Sequence, residues 1–282
     1  MQLGKLYIVA TPIGNLEDIT FRAIETLKSV DLIAAEDTRH SRKLLNHFNI
    51  STPMIALHEH NEKQRIEQLY HHLQQSKNIA LISDAGTPVI SDPGAYFIQA
   101  LAEKNINIIP IPGACAAIAA LSISGLSASE FIFAGFLPAK GEARKKSLQI
   151  FQQENKTLLF YEAPHRIENL LALMVDILGK ERQAVIAREL TKTFETIYRG
   201  TMQKLLDIVQ QQPFAQKGEF VVVVEGKKES VGSKDFSQCH QLLAILLPEL
   251  SIKKAVAITT QITGLPRNMV YQQALLLQEN KY

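Results

Sequence analysis

Short apolar runs alternate with amphipathic segments along the first half of the chain. LYIVA (6–10), DLIAA (31–35), NIALIS (78–83) and INIIPI (106–111) read as buried strands. Between them, FRAIETLKSV (21–30) places Phe21, Ile24, Leu27 and Val30 on one helical face. HSRKLLNHF (40–48), EKQRIEQLYHHLQQ (62–75) and AYFIQALAEK (95–104) carry helical spacing too, and PGACAAIAALSISG opens a helix of small residues. Apolar strands alternating with helices predict an α/β layer with a largely parallel sheet.

A second α/β unit follows a boundary expected between Gly113 and Ser129. Its strands are 131–137, 157–163, 184–190 and 219–226, and its helices are 143–153, 165–178 and 202–211. KKESVGSKD (227–235) is polar and non-periodic, as a linker is. Three helical patterns come after it, SQCHQLLAILLPEL, IKKAVAITTQI and MVYQQALLLQE, with Leu242, Leu243, Ile245 and Leu246 expected in a core. The domains expected are therefore 1–118, 119–226 and a helical module over 236–282.

Composition narrows the class. At 282 residues and 46% hydrophobic, the chain can bury real cores. No apolar run is long enough to span a bilayer, the first residues lack a leader's apolar stretch, and two distant cysteines make no disulfide framework. The expectation is a soluble cytoplasmic protein without a membrane partner. The net charge of +2 conceals 10 basic against 13 acidic residues up to 133, and 20 against 15 beyond it. That mild basic bias of the second half suits a polyanion or ordinary surface variation.

Ligands of parallel α/β sheets bind beyond the carboxyl ends of the strands. Four successive strand ends carry TPIGNLED, EDTRHSR, SDAGTPVISDPG and PGACAA, rich in residues that set sharp turns. A plain strand-to-helix connection needs about 2–6 residues; Ser83–Gly94 holds twelve. Dinucleotide GxGxxG and P-loop GxxxxGK[ST] patterns are missing. His58-Glu59-His60 lacks a third-ligand pattern, so no metal is expected, and Ser83 and Ser91 have no nucleophile-elbow context.

Together LYIVATPIGNLEDIT, AAEDTR, ALISDAGTPVISDPG, PGACAA, GFLPAK, FYEAPHRI, ARELTKTFE and KGEFVVVVEG resemble the bacterial 16S ribosomal RNA 2′-O-methyltransferases that modify a cytidine ribose. These belong to the tetrapyrrole-methylase-like, class III S-adenosylmethionine methyltransferases. The resemblance runs in order from about residue 5 to 226, with a similar helical tail. Ala114 stands where relatives often carry Pro, and Ala139-Lys140 where some carry Arg-Lys.

The resemblance implies two α/β lobes of the tetrapyrrole methylase type, the cofactor S-adenosylmethionine in the inter-lobe cleft, a homodimer, and 16S rRNA in the small ribosomal subunit as substrate. Cofactor-binding residues would be Pro12, Gly14, Asp84, Ala85, Gly86, Thr87, Val89, Ile90, Ala114, Cys115, Tyr161, Leu190 and Glu219. A ribose hydroxyl is a weak nucleophile and calls for a proton acceptor. Asp37, with Glu36 beside it, His165, Glu189 and Glu195 are the candidates, with ion pairing to Arg188 or Lys192 the alternative for the glutamates. Arg39, Arg144, Lys145, Lys146, Arg166 and Lys192 would face RNA phosphates, with solvated or paired surface as the alternative. Lys253, Lys254 and Arg267 would contact RNA if the tail is more than a packing module. Competing readings are a tetrapyrrole or protein methyltransferase of the same fold, and a non-catalytic RNA-binding assembly factor.

Overall fold

Side chains alternate across each strand of the first sheet, and each face finds its own helices. The structure, a computed structural model, describes residues 3–58, 60–212, 218–228 and 233–279. Strands β1 (Lys5–Val9), β2 (Leu32–Ala35), β3 (Met54–Ala56), β4 (Ile79–Ile82) and β5 (Asn107–Ile111) pair in the order β3-β2-β4-β1-β5, all parallel. Leu6, Leu32, Ala34, Ile79 and Leu81 pack with Leu69, Leu73, Phe97 and Leu101 of helices α3 (Glu62–Gln74) and α4 (Ala95–Glu103). Val9, Ile33, Ala35, Ala80 and Ile82 point to the other face, against Ala23, Leu27 and Leu45 of helices α1 (Phe21–Ser29) and α2 (Thr38–His47). This double covering is why the strands read as continuous apolar runs. Thr20 caps α1 by accepting from the Ala23 amide, and Asp37 caps α2 through the Arg39 amide.

The second sheet is mixed. Strands β6 (Phe131–Phe136), β7 (Thr157–Glu162), β8 (Gln183–Arg188), β9 (Thr196–Thr201) and β10 (Phe220–Val224) lie in the order β6-β7-β10-β8-β9. Only β6 and β7 run parallel; β7-β10, β10-β8 and β8-β9 are antiparallel. Leu158, Phe160, Ile186 and Val222 face helices α6 (Gly141–Gln149), α7 (Ile167–Leu178) and α8 (Met202–Gln211). Leu159, Val185, Ala187, Val221 and Val223 meet helix α5 (Ala116–Ser124) through Ala117, Ala120 and Leu121. Helix α5 thus follows the first sheet in sequence yet packs on the second. The expected division between 118 and 119 falls inside it.

Two strands were absent from the expectation. Strand β3 is three residues long, and β9 is a half-exposed edge strand whose sequence TIYRGT has no apolar run. One core assignment is corrected as well. Phe21 is 89% exposed, because it precedes Ala23 by two residues, about half a helical turn, and so points away from the buried face of Ala23 and Leu27.

The chain divides into compact units Met1–Lys227 and Lys228–Tyr282. The second holds α9 (Ser233–Leu246), α10 (Ile252–Thr263) and α11 (Arg267–Glu279) around Cys239, Leu243, Ala255, Val256, Leu265, Val270 and Ala274. Leu243 is in this core and Leu246 packs against it, but Ile245 is 68% exposed on the opposite side of its helix. Residues 229–232, in the expected linker, and 280–282, at the end of the expected module, lie outside the described residues, as does Glu59.

Ala120 is fully buried where α5 lies on the second sheet. Small side chains let the helix approach closely. Ala120→Leu should overpack this contact and lower unfolding free energy by about 1–3 kcal/mol, read by urea denaturation.

Candidate active site

The strand ends of the two sheets enclose a cavity of about 370 Å³. From the first lobe it is walled by Ile13, Glu36, the segment Asp84–Thr87, Ile90, Ser91 and Asp92. Cys115 and Ala116 bring the start of α5 to it. From the second lobe come Phe136, Tyr161–Pro164, Ala187, Leu190 and Glu219–Val221.

The long loop after β4 forms much of this wall, in an unusual backbone. Gly86, Val89, Ser91 and Gly94 all have positive φ, at 79°, 76°, 68° and 118°. Glycine takes such angles freely, but a β-branched residue does so at a cost of about 1–3 kcal/mol. Fixed partners hold the loop there. The Thr11 and Gly86 amides each donate to the other's carbonyl, at 2.9 and 3.0 Å. The Thr87 hydroxyl donates to the Ala114 carbonyl at 3.1 Å, and the Thr11 hydroxyl to the Ser83 carbonyl at 3.2 Å.

Of the expected cofactor residues, Asp84, Ala85, Gly86, Thr87, Ile90, Cys115, Tyr161, Leu190 and Glu219 line the cavity. Pro12, Gly14, Val89 and Ala114 are not on its wall. A Cβ on Gly14 would come within 2.9 Å of the Leu190 carbonyl and closer still to Lys192 and Thr191, so glycine allows the lobes to touch here. The Asn15 amide donates to the Thr191 hydroxyl at 3.0 Å across the same contact.

Three carboxylates share the first-lobe wall. The Asp37 amide donates to Asp84 Oδ1 at 3.1 Å, and the Asp84 amide to Glu36 Oε2 at 3.4 Å, which ties the end of β2 to the end of β4. Burial pushes the Glu36 carboxyl up, opposed by the Asp84 amide and assisted by the charges of Asp92, Asp84 and Asp37. Burial likewise raises Asp92, against a hydrogen bond from Ser83 and with help from Asp84. Across the cavity, burial and then Cys115 push the Tyr161 phenol up to about 12, so it stays protonated. Its oxygen accepts from the Ala117 amide at 3.0 Å, and its ring meets Phe133 and Phe136 edge-on at 4.9 and 5.5 Å.

The expected proton acceptors lie elsewhere. Glu189 Oε1 accepts from Lys192 Nζ at 2.9 Å and from the Glu219 amide at 2.8 Å. Burial alone would raise its carboxyl, but the Glu219 amide and the Lys192 ammonium, with Arg188 nearby, hold it below the ordinary value. Glu195 Oε2 accepts from the Thr191 amide at 2.6 Å and pins the same turn. Asp37 gives both oxygens to Arg39. His165 is exposed and does not line the cavity, although its neighbour Pro164 does.

The RNA-facing set also changes. Arg144 is corrected outright: it is 5% exposed and paired with buried Glu162. Helical spacing puts it on the face of buried Leu148, not on the solvated face of its basic run. Arg166 reaches the other oxygen of Glu162 at 2.9 Å and donates to the Leu137 carbonyl at 2.7 Å. These two guanidinium groups hold the loop 137–139. Lys192 is engaged by Glu189 and Glu219. Arg39 and Lys146 remain exposed, and Lys145 half-buried.

Asp92, Phe136 and Glu162 were not among the expected site residues, and Glu36 was marked only as the neighbour of Asp37. Glu36 and Asp92 sit within the loops already singled out, and their signal was carboxylates placed at strand ends. Among the described residues, no group of three His, Cys, Asp or Glu side chains could hold a metal ion, and no helix is long and apolar enough to cross a membrane.

Residues 5–206 match the family model of the Tetrapyrrole (Corrin/Porphyrin) Methylases, and residues 235–278 that of the RsmI C-terminal HTH domain. Among solved structures, a diphthine synthase aligns with a TM-score of 0.62 at 16% identity, over 79% of this chain and 90% of its own. The uroporphyrin-III C-methyltransferase of Thermus thermophilus, complexed with S-adenosyl homocysteine, aligns at 0.56 and 13%, over 78% and 97%. At these identities the likeness speaks for the fold. Much nearer are proteins named ribosomal RNA small subunit methyltransferase I. That of Haemophilus influenzae is 51% identical over 96% of both chains, and that of Pseudomonas aeruginosa 50% identical over 99% of both. The chain belongs to the ribosomal RNA small subunit methyltransferase I family.

The Glu189 clasp has a pH signature. Its folded-state value lies below the unfolded one, so its stabilisation is complete above pH 4.5 and lost as pH falls below that. The stability gap between wild type and Glu189→Gln should therefore shrink on acidification, measured by urea denaturation across pH. A gap independent of pH would show that the carboxylate charge is not what holds this turn.

Proposed function

We propose that this protein transfers a methyl group from S-adenosylmethionine to the ribose 2′-hydroxyl of a cytidine in 16S ribosomal RNA of the small subunit. The observation that carries this reading is the position of the cavity, walled by the same loops that carry the resemblance, in a chain half identical to its named relatives over nearly its whole length.

The residues present fit that cofactor. Asp84–Thr87 and Ile90 would hold it from one lobe, with Pro12, Gly14, Val89 and Ala114 fixing the loops behind. The start of α5 carries no side-chain cap, and with the Ala117 amide given to Tyr161 it is the Ala116 amide that would meet a carboxylate. Phe136, Tyr161, Leu190 and Ala187 provide an apolar and aromatic wall, and the Glu219–Val221 edge backbone groups. Carboxylates suit a cationic sulfonium. When bound, the cofactor supplies an electrophilic methyl group.

The chain's own contribution is alignment, exclusion of water and proton management. Holding the ribose oxygen in line with the methyl group is worth roughly 7–11 kcal/mol in favourable cases. The rigid strand ends serve that purpose, as does the bond from Asn15 of the first lobe to Thr191 of the second, in a turn braced by the Glu189–Lys192 pair. Exposed Arg39 and Lys146, with Lys145, would bind RNA phosphates, and the second unit would offer exposed Lys253, Lys254 and Arg267 for the same kind of contact. The protein acts as a cytoplasmic homodimer in this reading.

Incubation with methyl-labelled S-adenosylmethionine and small subunits lacking the modification should place one 2′-O-methylcytidine in 16S RNA, mapped by nuclease digestion and mass spectrometry. Absence of label in RNA, with the cofactor bound, would overturn the reading and direct attention to porphyrinoid or protein substrates.

A further inference from the structure

The methyl-transfer reading leaves the proton of the attacking hydroxyl without a destination, because the expected acceptors are tied up in turns or stand off the cavity wall. Each ionisable group on the wall can be assessed by what already occupies it. Glu162 is neutralised by Arg144 and Arg166. Glu219 is mostly exposed and pairs with Lys192 at 3.1 Å. Tyr161 is a protonated phenol bonded to α5. Asp84 Oδ1 is held by the Asp37 amide. Asp92 receives a hydrogen bond from Ser83.

Glu36 shares with Asp84 one oxygen held by an amide, and is set apart by its burial at the end of β2 among three acids. Its Oε2 accepts from the Asp84 amide, which fixes the carboxylate at the end of β2, whereas Oε1 has no hydrogen-bond partner among the described residues. Among the described residues, no basic side chain acts on it to hold it ionised. The groups acting on it are Asp37 on its own segment and Asp84 and Asp92 on the loop after β4, all acidic. Cys115, Tyr161, Glu162 and Glu219 share the cavity from the other elements, and Arg39 is spent on Asp37.

We propose that Glu36 is the catalytic base, taking the ribose 2′-hydroxyl proton on Oε1 during methyl transfer. This rests on the methyl-transfer reading above. The oxygen gains a bond to the methyl carbon and loses its bond to hydrogen. The electron pair of the carbon–sulfur bond stays on the sulfur of S-adenosylmethionine, which leaves as S-adenosylhomocysteine, and the proton passes to Glu36 and then to solvent. Burial and three neighbouring acids raise the affinity of Glu36 for a proton, in the direction a base working near neutrality requires.

The test compares wild type, Glu36→Gln, Glu36→Asp and Asp92→Asn. Glu36→Gln should bind S-adenosylhomocysteine within about threefold of wild type by calorimetry. Its single-turnover methylation of small subunits should fall by about 100-fold or more, with the acid limb of the pH–rate profile gone. Glu36→Asp should keep that limb at a reduced rate. Carboxyl carbon-13 NMR of the S-adenosylhomocysteine complex should show Glu36 titrating above the ordinary glutamate value. Wild-type rates in Glu36→Gln, an equal rate loss and vanished limb in Asp92→Asn alone, or lost S-adenosylhomocysteine binding in Glu36→Gln would each overturn the assignment. Absence of RNA methylation by wild type would instead defeat the functional reading beneath it.

Discussion

The loop from Ser83 to Gly94 sits in a conformation its own residues disfavour, and the site depends on its staying there. Four of its positions are left-handed, and two of these are not glycine. The cost is met by the paired Thr11–Gly86 backbone bonds and the Thr87 bond to Ala114. These contacts bring three strand ends, after β1, β4 and β5, into one wall. They also set Asp84 and Asp92 where their charges act on Glu36. A relaxed loop would disperse the acids and open the cavity floor.

The opposite wall is held by buried charge. Glu162 lies between Arg144 and Arg166, and both guanidinium groups also reach carbonyls of the 137–139 loop. Buried ion pairs contribute little net stability compared with apolar packing, but breaking one partner is costly. Their value here is geometric: they fix the segment following Phe136 at the cavity rim. On the near side, Gly14 and Asn15 of the first lobe meet the second lobe's turn at Thr191, which the Glu189–Lys192 pair braces. One wall is thus set by backbone strain and the other by desolvated charge, with an apolar and aromatic surface between them.

The strands of both sheets were legible because doubly covered strands must be apolar on both faces. The helices were legible by period. Strand β3 was too short to show a pattern, and β9 is an edge whose pairing partner, not its composition, makes it a strand. The loops of the site were visible as clusters of Gly, Pro, Asp and Thr at strand ends. The roles of individual charged residues were not. Arg144 in a basic run looks solvated until its helical phase with Leu148 is considered. Glu189, Glu195 and Lys192 carry the chemistry of a catalytic group, but tertiary contacts turn them into a clasp. Glu36 gave no signal beyond its place after β2, since its character comes from Asp84 and Asp92, distant in sequence.

Methyl transfer in this account takes place in the inter-lobe cavity. A crystal structure of this protein with S-adenosylhomocysteine tests it most directly. The ligand should lie between the lobes against Asp84–Thr87, Cys115 and Ala116, with its sulfur on the side of the cavity that holds Glu36. A ligand seated outside that cavity, or within it but with Glu36 walled off from the sulfur, would contradict the account.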